Sequence, residues 1–354
     1  MPNLELPSAP ETKWIVYGGS YSGNLAAWMR YRYPDIVFAA VPSSAPVQMK
    51  YNYYEYFYPV RKYGPKHCIH AIEQVISYVD HILFSPLQEP KQRLKESFGA
   101  KGLKHDDDFA NCKYLSLSPP CGITLLLRNV GFFSVLIDIY IVLSFPLGLW
   151  QEMSPTSNPF ETEFCTIFDG VNDLHGYIKA YAGYIGNVTE KMCDEYSSVN
   201  ECLDSHDPKA PMYNDLKSSS RPWVWQVCTE YAYWQTGAPI WVPGTIVSRK
   251  VDTKWYQRQC PFLFGEHNIP VRPQWRYINK EYQGWHIKLN RTFWIDGEYD
   301  PWRTLSVQSD RAPKRESEDH HKKQQEDARF VVLPESVHHW VTYIYNKKIV
   351  VNVI

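Results

Sequence analysis

Charge of neither sign is in excess in this chain. Lys and Arg total 37 against 38 Asp and Glu, a net charge of −1. Binding through nucleic-acid phosphates needs a basic field, so that partner class is set aside. No Cys-x-x-Cys pair occurs, which removes zinc-ribbon and thioredoxin readings. No metal and no cofactor is expected. No internal repeat is present. The first residues, Met1-Pro2-Asn3-Leu4-Glu5, have neither the basic region nor the apolar run of a signal peptide. A membrane-length apolar run is also wanting. Val130 to Phe145 comes nearest, but Asp138 interrupts it and Arg128, Asn129 and Pro146 bound it, whereas a span needs about 20 apolar residues. It reads as a buried helix or as sequence foreign to the fold, and no membrane is expected among the partners.

What is there suits a large globular protein. Apolar residues make up 44% of the 354, enough for a substantial core, and aromatics at 15% suit apolar or aromatic-walled pockets. The eight cysteines, Cys68, Cys112, Cys121, Cys165, Cys193, Cys202, Cys228 and Cys260, are even in number and scattered. That pattern predicts disulfides formed in an oxidising compartment. Spacing alone does not select among the possible pairings. Two N-glycosylation sequons, Asn187-Val188-Thr189 and Asn290-Arg291-Thr292, point the same way. The expected location is secreted, or lysosomal or vacuolar. The oligomeric state is not legible.

Trp14-Ile15-Val16-Tyr17 is β-prone and ends at a Gly pair, which predicts a buried strand. Asn24 to Tyr33 suits a helix stopped by Pro34, and Ile36 to Val41 a second buried strand. Strand, tight turn, helix and strand make a parallel α/β unit. From about Gln48 to Ser220 helical patterns dominate, as in Ile69 to Leu83, and predict a helical insertion. From Arg221 the α/β character returns, with strands at Arg291–Ile295 and Phe330–Leu333. Residues 1–47 and 221–354 are thus expected to form one discontinuous domain, and 48–220 a second. Asp310 to Asp327, with His320 and His321, is dense in both charges and reads as solvated surface.

A serine hydroxyl needs a base to take its proton and donors to hold the oxyanion. Gly18-Gly19-Ser20-Tyr21-Ser22-Gly23 lies between the first strand and its helix. Such a turn exposes a hydroxyl and aims the next backbone N–H, here that of Tyr21, at developing negative charge. The fifth position of the usual G-x-S-x-G is Ser22, an imperfect match. After the strand Arg291–Ile295 comes Asp296-Gly297-Glu298-Tyr299-Asp300-Pro301-Trp302, and after Phe330–Leu333 comes Pro334-Glu335-Ser336-Val337-His338-His339. Nucleophile, acid and histidine follow in the chain order of α/β-hydrolases. From the residues alone, either Asp296 or Asp300 can pair with either His338 or His339.

Gly18 to Gly23, followed by Leu25-Ala26-Ala27-Trp28, resembles the nucleophile region of the prolyl carboxypeptidase and dipeptidyl peptidase II family of serine peptidases. Ser43-Ser44-Ala45-Pro46-Val47, Trp223-Val224-Trp225-Gln226-Val227-Cys228-Thr229-Glu230, Gly297 to Trp302 and Val337-His338-His339 resemble its further landmarks. The fungal acid prolyl endoproteases of that family look closest, because they share Ser at 22. The resemblance implies an α/β-hydrolase fold, class α/β with a mainly parallel sheet, carrying an inserted helical cap. It implies Ser20 as nucleophile, Asp300 as acid and His338 as base, with the N–H of Tyr21 in the oxyanion hole. The implied substrates are peptides or proteins cut after proline. Trp302 is a candidate pocket wall, Glu230 a candidate for a substrate amine, and Asn24, which stands where animal exopeptidases carry Met, a third candidate substrate contact.

The chain departs from that family in three places. Only 19 residues precede Ser20, too few for the earlier strands and the second oxyanion donor of such a fold, so an N-terminally truncated chain of little activity is expected. Family-like text breaks off after His105–Asn111 and resumes at Leu143–Trp150, so residues such as Cys112 to Val142 read as inserted. Trp340-Val341-Thr342 stands where a leucine-aspartate pair usually follows the histidine. An esterase or lipase on the same fold is one alternative. A catalytically impaired fragment or non-catalytic secreted glycoprotein is the other.

Overall fold

The computed structural model describes residues 7–110, 143–151, 153–154, 156–216, 220–314 and 329–342. Most of Val130 to Phe145, Cys112, Cys121, His320 and His321 lie outside these. The described strands are β1 (Trp14–Gly19), β2 (Val37–Ser43), β3 (Lys50–Asn52), β4 (Ala232–Trp234), β5 (Phe293–Gly297) and β6 (Arg329–Leu333). The chain divides into two compact units.

The first unit comprises Met1–Met49, Gln151–Ser157 and Trp275–Ile354. Its sheet has the order β1-β2-β5-β6, and every pairing is parallel. Trp14 stands opposite Val37 and Gly19 opposite Ser43, so β1 and β2 end level. Parallel neighbours need a crossover, and helix α1 (Tyr21–Arg32) supplies it. Ala26, Ala27 and Trp28 turn inward, and Trp28 stacks on Tyr282 at 4.3 Å. The residue before Pro34 is barred from helical geometry, which is why α1 stops where the sequence says it should. Arg30 then fastens the helix end, donating to the carbonyls of Pro34 and Val37 at 2.9 and 2.6 Å.

β1 is not a buried strand: Trp14, Ile15 and Tyr17 are 49%, 63% and 50% exposed. Its composition matches burial on both faces. As the edge strand of the described sheet, however, it has a pairing neighbour on one side only.

The second unit comprises Lys50–Trp150 and Asn158–Gln274. Helices Lys66–Leu83 and Leu174–Met192 carry apolar stripes that bury Ile72, Val75, Ile76 and Val79 on one and Tyr181 and Ile185 on the other. Phe98, Phe109, Phe164 and Phe168 cluster with Tyr181 in mostly edge-on pairs. Among the described residues, three disulfides close in this unit, Cys68–Cys165, Cys193–Cys202 and Cys228–Cys260. The expected return to the first domain at residue 221 falls instead at Trp275. Residues 221–274 stay with the helices for two reasons: β4 pairs in parallel with β3, and Trp255 Nε1 donates to Asp108 at 3.1 Å. Among the described residues, no helix is long and apolar enough to cross a membrane.

Candidate active site

The site is built where strands of the first unit end. β1 stops at Gly19 and α1 starts at Tyr21, so Ser20 alone makes the turn, at φ 57 and ψ −130. That conformation is sparsely populated by residues other than glycine and is held only where surroundings over-determine it. Here the Ser20 N–H donates to the Ser43 carbonyl at 2.9 Å, and the Ser20 carbonyl accepts from the Gly23 N–H at 2.9 Å. The first turn of α1 folds back over the strand end. A Cβ on Gly18 would lie 2.0 Å from the Ser22 carbonyl oxygen, so no larger residue fits there. The N–H groups of the first helical turn, beginning with Tyr21, thus lie directly beyond the serine.

The acid and histidine loops are laced to each other. The Tyr299 N–H donates to the Ser336 carbonyl and the Glu298 N–H to that of Leu333, both at 2.9 Å. A Cβ on Gly297 would come within 2.3 Å of the Ser336 carbonyl and 2.4 Å of that of Val337, so this approach requires glycine. The lacing brings His338 against Asp300. Nδ1 lies 2.9 Å from Oδ2 and 3.1 Å from Oδ1, and both residues are buried. Asp300 is itself held by the Trp302 N–H at 2.8 Å. With its Nδ1 proton directed at a carboxylate, a neutral imidazole presents Nε2 as the basic nitrogen.

Asp296 and His339 take other roles. Asp296 is buried and its Oδ2 accepts from Ser306 Oγ and Gln308 Nε2 at 2.8 and 2.5 Å. Burial, and then the charge of Asp300, push its carboxyl up to about 7. The His339 N–H donates to Ser44 Oγ at 2.8 Å, and its ring lies 4.5 Å from that of His338 and against Gly19. Burial, and then His338, push the His339 imidazole down to about 4. Ser43 and Ser44 therefore anchor both the nucleophile turn and the histidine loop. Sequence reading marked them as a landmark without a task; their signal was a run of small residues directly after β2.

The remaining candidates separate. Trp302 is mostly buried, its Nε1 donates to Gln151 at 3.2 Å, and its ring lies 6.3 Å from that of His338. Asn24 is fully buried on α1, and its amide donates to the Pro46 carbonyl at 3.2 Å. Its reading as a substrate contact gives way to an internal tie. Glu230 is half-buried and belongs to the second unit. Asn187 and Asn290 are exposed, and Asn290 also accepts a hydrogen bond from Arg30.

A parallel sheet with a helix crossover, and a serine turn, an acid loop and a histidine loop following β1, β5 and β6, defines an α/β-hydrolase fold. The chain belongs to the serine carboxypeptidase S28 family, whose model matches residues 3–116 and 150–316. Ser20 and Asp300 lie inside the match, and His338 lies beyond it. A protein of Arthroderma benhamiae named "Probable extracellular serine carboxypeptidase" is 28% identical over 94% of this chain and 45% of its own length. The serine protease vicPa of Bipolaris victoriae is 31% identical over 84% of this chain and 55% of its own. The thymus-specific serine protease of Mus musculus is 25% identical, again over 84% and 55%. The chain spans about half the length of the curated relatives it matches.

Proposed function

We propose that this chain carries the catalytic groups of a serine-type peptidase that cuts after proline through a Ser20–His338–Asp300 acyl-enzyme mechanism. The observation that carries the proposal is the buried pairing of His338 Nδ1 with Asp300. It leaves Nε2 as the base for a serine held in a strained turn of the same sheet. Family membership supports the reaction class.

In this scheme Ser20 Oγ attacks the substrate carbonyl and His338 Nε2 takes its proton. The Tyr21 N–H stabilises the oxyanion, and His338 returns the proton to the leaving amine. The resulting ester is hydrolysed by water with His338 again as base. Asp300 orients the imidazole and stabilises its protonated form. The proline preference rests on the sequence resemblance and on Trp302, whose indole beside His338 suits a rigid pyrrolidine ring. A secreted, lysosomal or vacuolar setting is supported by the three disulfides among the described residues and by the exposed sequons.

A fluorophosphonate probe tests the reaction class: it should label a full-length version of this protein, and Ser20→Ala should abolish labelling. Labelling that survives in the variant refutes the assignment. Two peptides that differ only in Pro or Ala before the scissile bond test the substrate class. A preference below about tenfold, roughly 1.4 kcal/mol in the transition state, would sink the proline pocket while leaving the peptidase intact.

A further inference from the structure

Far along the chain from these loops, the second unit gathers two histidines and an aspartate that no part of the proposed reaction uses. His105, Asp107 and His206 each offer a ligand atom, and the three atoms lie within 4.8 Å of one another. We propose that His105, Asp107 and His206 form a binding site for a divalent transition-metal ion of the zinc class.

The donor set fits that class. Two imidazoles and one carboxylate are what zinc takes in three-ligand sites, with water completing a tetrahedron. Ligand bonds of about 2.0–2.2 Å put neighbouring donor atoms about 3.4 Å apart. His206 Nε2 and Asp107 Oδ1 already lie 2.9 Å apart, a spacing that opens by a few tenths of an ångström to admit an ion. The outer shell is built as well. Arg258 Nη1 holds Oδ2 of Asp107 at 2.8 Å, so the carboxylate is oriented with Oδ1 turned toward His206. Asp108, fully buried, lies 3.8 Å from His206 Nε2 and 3.7 Å from Arg258 Nη2.

The backbone is pinned on both sides. The Lys104 N–H donates to Asn200 Oδ1 at 3.1 Å, and the His206 N–H to Asp204 Oδ1 at 2.7 Å. All three ligands are half-buried, close enough to solvent for an ion to enter. Among the described residues, the ring nitrogens of His105 form no hydrogen bond. Its ring stacks on that of His206 at 3.6 Å, with planes 21° apart. An ion must lie in the plane of each imidazole it binds, so one ring has to turn out of this stack. His105, half-exposed and held only by stacking, is the one to do so. Sequence reading found no metal here, because 105–107 and 206 form no short ligand motif and meet only through the fold.

Untagged, chelator-treated full chain is titrated with zinc chloride by calorimetry. One ion per chain is expected, with a dissociation constant of about 1 µM or tighter. X-ray absorption should give nitrogen and oxygen neighbours at about 2.0–2.1 Å. His105→Gln and His206→Gln should each weaken binding at least about tenfold, and lowering the pH from about 7.5 to about 5.5 should do the same, since protonated imidazole cannot ligate. Folded wild-type chain that takes up no stoichiometric ion, or unchanged uptake by the folded single variants, overturns the proposal. The wild-type titration and its pH dependence stand even where a variant fails to fold. Neither depends on peptidase activity.

Discussion

His338 Nδ1 lies 2.9 Å from Oδ2 and 3.1 Å from Oδ1 of Asp300, with both side chains out of solvent. Two loops that follow different strands meet at this contact, and Gly297 together with the backbone bonds of Glu298 and Tyr299 keeps them joined. A buried carboxylate on Nδ1 sets the tautomer and favours the charged imidazole once a proton arrives.

Asp300→Asn therefore preserves shape but presents an amide N–H to Nδ1 and favours the wrong tautomer. The expected loss in kcat is on the order of 10³–10⁴, with KM little changed. Steady-state kinetics of a full-length version on a Pro-X peptide, with circular dichroism as the check on folding, measures it. A loss below about tenfold would show that another group orients His338.

Asp296 sets a pH dependence of stability. Its folded value of about 7 lies above the ordinary 3.8, so over that interval the folded chain holds a proton that the unfolded chain has released. Stability contributed by the neutral carboxyl is present at acid pH and declines as pH rises from about 4 to about 7. Asp296→Asn, which cannot ionise, should flatten that decline, by about 4 kcal/mol at most. Urea unfolding of both proteins at about pH 5 and pH 8 checks it. Parallel pH profiles would refute the buried-acid assignment.

Gly297→Ala should force the two loops apart, because its Cβ has only 2.3 Å to the Ser336 carbonyl oxygen. Overpacking of this kind costs about 1–3 kcal/mol. Labelling of Ser20 by the fluorophosphonate probe should fall with it, since His338 rides on the displaced loop. A variant as stable and as reactive as the wild type would contradict this geometry.

The Cys68–Cys165 disulfide closes a separation of 97 residues. Loops of that size lose the most chain entropy when cross-linked, so the double Ser variant should lose about 2–5 kcal/mol. Peptide mapping without reduction should recover the Cys68–Cys165, Cys193–Cys202 and Cys228–Cys260 pairs. Free thiols at those six positions in oxidised protein would count against the pairing.

Local information decided a good deal of this protein. The apolar run at Trp14, the glycine turn around Ser20, the helix halted before Pro34 and the strand after it are all near-neighbour effects, and all were legible in the sequence. So was the order of the serine, acid and histidine loops. The residues of those loops alone left Asp296 and Asp300, and His338 and His339, as equal candidates, because all four are polar side chains at strand ends. Resemblance favoured one pair, and only the lacing of Tyr299 and Glu298 to Ser336 and Leu333 brings that pair into contact. The disulfide pairing, the placing of residues 221–274 beside the helices, and the exposure of β1 were likewise beyond sequence reading. Each depends on contacts between segments far apart in the chain. Composition records what a segment can bury, while the fold decides which neighbour is there to bury it.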